Sequence, residues 1–210
     1  MKQPIILIGG GGHCKSCIDV IEQEGKYRIV GILDLPEMIG KRILNYDIIG
    51  TDDDLPAFLK TVGHYLITIG QIKSSEKRIA LWEMVKKSGG KLPVIFSPNA
   101  YVAKSAIIGE GSIIMHHVIV NADAKIGINC IINSKALIEH EAVIGDFCHV
   151  STGAIVNGQA TIGSRCFIGS NSTISNNVCI VEDSLISAGT TVFKDITTPG
   201  TYFAKGLRNA

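Results

Sequence analysis

Histidine and carboxylate residues in the second half of the chain have types and spacing that could support proton transfer. His140 is followed directly by Glu141, and His149 lies nine residues further on. A neutral imidazole can accept a proton near neutral pH, so His140 is a candidate general base. The alternative is that His140 and Glu141 are ordinary neighbours on the surface.

A second candidate site lies near the N-terminus, where four consecutive glycines, Gly9 to Gly12, precede His13. An apolar strand pattern comes before these glycines, and a helical pattern follows them. A strand, a glycine turn and a helix N-terminus bring free backbone N–H groups together and form a cradle for phosphate. The match to a dinucleotide fingerprint is partial, because its third glycine falls at Cys14. The pattern favours one nucleotide with its pyrophosphate, and a simple tight turn is the alternative.

The element that must position His140 and His149 is a repeat of six residues. Every sixth residue from Val102 to Val192 is Val or Ile, at sixteen positions. Glycine recurs every eighteen residues, so three hexapeptides make one coil, and the repeat predicts a left-handed parallel β-helix shaped as a triangular prism. The aliphatic residues and the small residues four positions later should point inward. Polar residues at the third and fourth positions should fall at the corners or outside: Glu110, Asn129, Asp146 and Arg165.

The first part of the chain alternates strand and helix patterns, which predicts a small Rossmann-like α/β domain with a parallel sheet. We expect domain boundaries at 1–97 for this nucleotide-binding domain and at 98–210 for the β-helix with its C-terminal tail. The predicted strands are 4–8, 27–33, 65–69 and about 92–95, and the predicted helices are 13–24, 53–60 and 74–87.

The cysteines are interpreted from their places in these patterns. Cys130, Cys148 and Cys166 are eighteen residues apart at the small inward position, so we expect them to stack inside the prism as small hydrophobic residues. Cys14 and Cys17 have a Cys-x-x-Cys spacing at the start of a helix. A buried helix face is favoured there over a redox or zinc site.

A metal site is not predicted. His116 and His117 could hold zinc between prisms, but no third ligand has a distinctive spacing. His64 is expected to be an ordinary residue at a strand edge.

Composition limits the class of protein. With 46% hydrophobic residues and a formal net charge of +1, the chain is expected to be soluble and globular, with no general attraction to nucleic acid or to anionic membranes. The first residues resemble neither a signal peptide nor a transmembrane span. We therefore expect a cytoplasmic protein without membrane insertion.

The stretch 6–13, the hexapeptide prism and the stretch 138–145 followed by His149 together resemble the bacterial nucleotide-sugar acetyltransferases, over the whole chain. That family includes sialic-acid O-acetyltransferases and N-acetyltransferases of UDP-linked 4-amino-4,6-dideoxy sugars, as in bacillosamine synthesis. The resemblance implies direct transfer of acetyl from acetyl-CoA to a sugar amine, without a covalent enzyme intermediate. The alternatives are a sugar hydroxyl as acceptor and a nucleotide-binding scaffold without activity.

The resemblance also implies site roles in the prism. His140 is implied to be the general base, and Glu141 to raise its basicity and hold its orientation. His149 is implied to lie near the acetyl group. The remaining implied acetyl-CoA contacts are Gly158, through its backbone N–H to the thioester carbonyl, and Ser170 and Ala188, beside the pantetheine arm.

In the first domain, the implied contacts to the nucleotide sugar are Gly11, Gly12, His13, Asp34 and Gly70. The sequence also departs from the family pattern at two places. Leu35 occupies the place of a second acidic residue, and the sequence from Ala204 to Arg208 replaces the usual Gly-x-Pro-Ala-Lys.

Apolar residues outside the inward register indicate that the prism has a partner surface. Ile107, Ile113 and Ile119 are the examples. They predict a homotrimer in which acetyl-CoA binds in a groove between neighbouring prisms.

Overall fold

The structure, a computed structural model, describes residues 2–59 and 61–203. Its first sheet has five strands in the order β3-β4-β2-β1-β5, parallel except for the antiparallel pair β3 and β4. The elements are β1 (Gln3–Ile8), α1 (Gly12–Glu24), β2 (Tyr27–Leu33), β3 (Arg42–Ile43), β4 (Tyr46–Gly50), α2 (Leu55–Phe58), β5 (His64–Ile67) and α3 (Glu76–Lys87).

The first domain forms because its strands are apolar on both faces. Ile5, Leu7 and Ile8 of β1 are fully buried, as a strand covered on both sides must be. The predicted helix at 53–60 is a 3₁₀ turn (Asp52–Asp54) followed by the single turn of α2; Lys60 lies outside the described residues.

Eighteen short strands form the other three sheets, which are the faces of the predicted left-handed prism. Face A consists of β7 (Tyr101–Val102), β10 (Ile119–Val120), β13 (Leu137–Ile138), β16 (Ile155–Val156), β19 (Thr173–Ile174) and β22 (Thr191–Val192). Face B consists of β8 (Ile107–Ile108), β11 (Lys125–Ile126), β14 (Val143–Ile144), β17 (Thr161–Ile162) and β20 (Cys179–Ile180). Face C consists of β6 (Ile95–Phe96), β9 (Ile113–Ile114), β12 (Ile131–Ile132), β15 (His149–Val150), β18 (Phe167–Ile168), β21 (Ser184–Ile186) and β23 (Gly200–Tyr202).

The corners of the prism require an unusual backbone conformation. From Gly111 to Gly189, all fourteen residues at the fourth position of a hexapeptide have positive φ. Glycine, Asn and Asp tolerate this region best, and they occupy many of these positions. Equivalent residues eighteen apart therefore stack into columns along three edges, which we call edges AB, BC and CA after the faces they join.

Inside the prism, the cysteines pack as predicted. Cys130, Cys148 and Cys166 are fully buried, and the Cys148 thiol donates a hydrogen bond to the carbonyl of Gly163 at 3.1 Å. Burial raises the pKa of Cys148 well above its usual value. These thiols are structural, as are the buried Cys14 and Cys17 on α1.

Face C packs against the first domain, and this contact corrects two expectations. The strand expected near 92–95 is β6, which pairs with β9 of the prism. Ile113, expected to need a partner subunit, is 1% exposed and packs in one hydrophobic cluster with the buried face of α1. Ile107 and Ile119 remain 61% and 42% exposed on faces B and A.

Asn129 also departs from the sequence-based expectation. It stands at a fourth position on edge BC, where polar side chains should face water, but it is fully buried. The cause is Arg78 of α3, whose guanidinium donates to both the backbone and the side-chain oxygen of Asn129.

The helices of the described residues are too short or too polar to span a membrane.

The stacked cysteine column gives a test of the register. Cys148→Ala should lower the free energy of unfolding by about 1 kcal/mol, the scale of removing one small buried group. Cys148→Asp should prevent folding, because it buries an unpaired charge. Cys179→Asp is the control, since Cys179 is exposed on face B. Circular dichroism and thermal melting measure all three, and a folded Cys148→Asp protein with an unchanged melting temperature would show that the register is wrong.

Candidate active site

The glycine turn between β1 and α1 is shaped by close backbone approaches. Gly9 has φ of 104°, and a Cβ there would lie 2.4 Å from the Ile69 side chain. A Cβ on Gly10 would lie 2.6 Å from Asp34. Gly9 requires glycine because of its positive φ, and a side chain at Gly10 would displace the Asp34 carboxylate.

Gly11 and Gly12, in contrast, face open space. Helix α1 has no side-chain cap and no acidic residue in its first turn. Its free N–H groups are thus available to an anion at the positive end of the helix dipole.

A cavity of about 460 Å³ opens in front of this turn. Asp34 lies in its wall, but its carboxylate accepts hydrogen bonds from the backbone N–H groups of Gly10 and Leu35, both at 2.9 Å. Lys77 lies on the same cavity and forms an ion pair with Asp52 at 2.5 Å. Sequence reasoning missed Lys77; its place at the start of α3, facing the glycine turn, depends on the tertiary fold.

His149 lies where the first domain meets face C. Its Nδ1 donates to the backbone carbonyl of Gln71 at 2.6 Å, and its Nε2 accepts from the Asn133 side chain at 3.1 Å. This pattern holds the neutral imidazole in one tautomer. Burial lowers the pKa of His149 to about 4; the nearby Arg78 charge also lowers it, although the bond to Gln71 opposes the shift.

His13 stands beside His149, with the ring centroids 6.4 Å apart. Desolvation lowers the pKa of His13 to about 3, with smaller contributions from His149 and Arg78. Its Nε2 is 3.4 Å from the Cys17 sulfur. Both rings line a second cavity, of about 590 Å³, that shares Gly12, His13 and Gly70 with the first. Its lining residues are Gly12, His13, Ser16, Gly70, Gln71, Ile72, Asn133, Ser134, His149 and Thr152.

A column of small residues continues from this second cavity along edge CA. Ser134 and Thr152 line the cavity, and Ser170 and Ala188 follow at the same eighteen-residue spacing. The Ser170 hydroxyl lies 3.0 Å from the Ser151 hydroxyl. Three residues were expected to contact acetyl-CoA on this side. His149 lines the second cavity, and Ser170 and Ala188 lie on its extension.

His140 and Glu141 lie elsewhere, on edge AB. His140 Nδ1 is 3.3 Å from a Glu141 carboxylate oxygen, which also accepts from Gln159 at 3.0 Å. Both side chains are more than half exposed. The His140 ring lies against Gly158, where a Cβ would approach it to 2.7 Å, so a side chain at this position would displace the ring. The Gly158 N–H makes no hydrogen bond within the described part of the chain.

One chain thus separates the expected site residues into two groups on the two edges of face A. His140, Glu141 and Gly158 stand on edge AB; part of the second cavity wall and the column ending at Ala188 stand on edge CA. The stretch 204–208, where the sequence departs from the family pattern, lies outside the described residues.

One histidine of the pair considered for zinc, His116, is engaged by two polar side chains. His116 Nδ1 is 2.7 Å from the Ser97 hydroxyl, and its Nε2 is 2.7 Å from the Asp19 carboxylate. Residues 2–59 and 61–203 contain no cluster of three or more His, Cys, Asp or Glu residues suited to a metal. His64 begins β5 and contacts the Tyr27 ring.

Comparison with known proteins agrees with this fold. Residues 4–80 match the family of PglD N-terminal domains. A search of curated sequences finds no match.

Solved structures match over almost the whole chain. PerB from Caulobacter crescentus, in complex with CoA and GDP-perosamine, has a TM-score of 0.88 and 27% identity, covering 96% of this chain and 94% of that one. A variant of perosamine N-acetyltransferase from the same organism has a TM-score of 0.89 and 26% identity, with coverage of 96% and 93%. The acetyltransferase domain of PglB from Neisseria gonorrhoeae, in complex with acetyl coenzyme A, has a TM-score of 0.90 and 27% identity, covering 97% of each chain.

The fold is a hexapeptide-repeat prism preceded by a small α/β domain. Over 96–97% of its length, the chain is similar to the perosamine N-acetyltransferase structures and to the PglB acetyltransferase domain.

The open space at Gly12 allows a direct test of whether the first cavity binds a nucleotide. Gly12→Asp should fold normally, because an acidic residue suits the first turn of a helix, but it should repel a diphosphate. Wild-type protein with UDP or GDP at one hundred times the dissociation constant should gain roughly 2.7 kcal/mol of stability, and the variant should gain almost none. Gly12→Ala, which adds bulk without charge, should lose less of this gain. An equal thermal shift for wild type and Gly12→Asp would contradict phosphate binding at the turn.

Proposed function

We propose that this protein transfers an acetyl group from acetyl-CoA to the amino group of a nucleotide-linked amino sugar. The observation that carries the proposal is the exposed pair of His140 and Glu141 lying against Gly158, on a prism whose neighbouring edge leads into a nucleotide-sized cavity. The complexes of PerB with CoA and GDP-perosamine and of the PglB domain with acetyl coenzyme A support both substrates.

In the proposed reaction, the amine nitrogen attacks the thioester carbonyl carbon. The carbonyl oxygen becomes an oxyanion, which the free N–H of Gly158 stabilises. The amine proton passes to His140 Nε2. When the tetrahedral intermediate collapses, the C–S bond breaks, the amide forms, and His140 returns the proton to the CoA sulfur.

Glu141 supports this role of His140 through its position. Its carboxylate lies on the Nδ1 side of the ring, so Nδ1–H can donate to it while Nε2 stays free to accept a proton. Gln159 holds the same carboxylate oxygen and limits its movement. Glu141 therefore favours the reactive tautomer and stabilises the imidazolium that forms.

His149 has a different proposed role. Both of its nitrogens are in hydrogen bonds and its pKa is low, so it is a poor general base. We place it, with Asn133, in the wall of the space that receives the acetyl group. Ser170 and Ala188 then leave room for the pantetheine arm along edge CA.

For the acceptor we propose a UDP-linked 4-amino-4,6-dideoxy sugar, held at Gly11, Gly12, His13, Asp34 and Gly70. The GDP-perosamine complex of PerB makes a GDP-linked sugar the alternative to include in assays. Lys77 gives the diphosphate a cation if the ligand replaces Asp52 in the ion pair.

We further propose a homotrimer, because a single chain holds the two parts of the site on opposite edges of face A. Face A exposes apolar side chains between those edges, with Tyr101 60% and Ile119 42% exposed. Packing edge AB of one prism beside edge CA of the next brings His140 to the neighbour's cavity. Three such contacts close a ring.

Replacement of His140 tests the reaction. His140→Ala should lower kcat by about 10² to 10⁴, the usual contribution of a positioned base, with little change in affinity for acetyl-CoA. His140→Ala should stay slower than wild type across pH 6 to 9. Glu141→Ala should act in the same direction but more weakly. The assay is thiol release from acetyl-CoA with UDP- and GDP-linked amino sugars.

The matched control is His117→Ala, since His117 also stands at a corner of the prism but has no role in the proposal. It should keep wild-type turnover. If His140→Ala also keeps wild-type turnover across pH 6 to 9, the general base is another group, or the amine attacks without one. Acetylation of the matching hydroxy sugar in place of the amino sugar would identify an O-acetyltransferase.

A further inference from the structure

Arg78 is a buried cation that neither the proposed reaction nor nucleotide binding uses. The residue is 2% exposed, and its guanidinium donates to the carbonyls of Ile67 at 3.3 Å, Ile69 at 2.6 Å and Asn129 at 2.7 Å, and to the Asn129 side chain. All four of these acceptors are neutral. Within the described residues, Arg78 forms no ion pair with a carboxylate.

Burying a guanidinium among neutral oxygens costs free energy that a hydrophobic residue at this position would avoid. The contacts of Arg78 join the two domains, and this link offsets part of that cost. Ile67 and Ile69 belong to the first domain, at the end of β5, whereas Asn129 belongs to edge BC of the prism. The planar fork of arginine bonds both domains at once, which a point-charge donor such as lysine cannot reproduce.

The segment held by Arg78 leads directly into the candidate site. Ile69 is followed by Gly70, which lines both cavities, and by Gln71. The Gln71 side chain donates to the carbonyl of Phe147 at 2.8 Å, and its backbone carbonyl accepts from His149 Nδ1 at 2.6 Å. Arg78 therefore holds the segment 67–71 through hydrogen bonds at Ile67 and Ile69. The same segment, through the Gln71 carbonyl, accepts the hydrogen bond that fixes the tautomer of His149.

The charges around His149 are consistent with this arrangement. The groups that face it are His13 of α1, Arg78 of α3, Gln71 and, on the prism, Asn133 and Phe167. None of these carries a negative charge. Desolvation lowers the pKa of both His13 and His149, and the Arg78 charge adds a smaller contribution in the same direction.

We infer that Arg78 is a positioning residue: by fastening the segment 67–71 to Asn129, it holds His149 in the orientation and tautomer that the acetyl-CoA site uses. The inference rests on the proposed function for its kinetic consequence, but the hydrogen-bond state of His149 can be measured without any reaction.

The kinetic test is a double-mutant cycle. Arg78→Lys and His149→Ala should each raise KM for acetyl-CoA by roughly tenfold, with a smaller effect on kcat, and the double variant should be no worse than the more affected single variant, since the residues act as one unit. Arg42→Lys, at an exposed arginine on the β3–β4 hairpin, should leave both parameters unchanged. Multiplying effects in the double variant would overturn the inference.

A second variant and a spectroscopic readout cover the case in which Arg78→Lys does not fold. Asn129→Gly removes the side-chain acceptor at a residue whose φ of 50° suits glycine. In ¹⁵N spectra of imidazole side chains, wild-type His149 should show a single tautomer with a slowly exchanging Nδ1–H, and Asn129→Gly should show averaged tautomers and faster exchange. An unchanged His149 signal in a folded variant would overturn the inference. If wild type transfers no acetyl group to any sugar, the proposed function fails while this spectrum still decides the role of Arg78.

Discussion

The six-residue period of the prism is the constraint on which the rest of the structure depends. An aliphatic residue at every sixth position fills the interior, and each corner takes a left-handed backbone conformation. Because three hexapeptides complete one coil, residues eighteen apart stack within about 4.8 Å of each other, the spacing of neighbouring strands. Any site on such a prism must be built from columns along its edges. His140 above Gly158 is one such pair, and Ser134, Thr152, Ser170 and Ala188 form a longer column.

The second constraint is the contact between face C and the first domain. Ile113 and the apolar face of α1 share one hydrophobic cluster, so the two domains are packed together and are not merely tethered. Hydrogen bonds also cross this boundary. Arg78 binds Asn129, and Gln71 binds Phe147 and His149. The bond between Gln71 and His149 lies in the wall of the cavity that contains His13. The boundary between domains thereby becomes the wall of the candidate site.

The sequence was sufficient to predict the elements that repeat or that have a strong local pattern. The hexapeptide period predicted the prism, its inward cysteines and the outward position of His140, and the glycines predicted the turn before α1. The contacts between elements distant in sequence were not predictable. Asn129 was expected at the surface because its position in the repeat is a corner, and nothing in the repeat indicates that Arg78 will cover it. Ile113 was assigned to a subunit interface for the same reason, because the packing of face C against α1 is a property of the tertiary fold.

The central claim is that the site combines His140 of one copy with the nucleotide cavity of another, and co-expression of two inactive variants tests it most directly. His140→Ala chains keep an intact cavity, and Gly12→Asp chains keep an intact His140. In mixed rings of three, one site in each mixed trimer should combine the two intact halves, so random assembly should restore roughly a quarter of wild-type turnover. Native mass spectrometry should show the mixed trimers in the same sample. If mixed trimers are present and no turnover is restored, His140 and the cavity act within a single chain and the account is wrong.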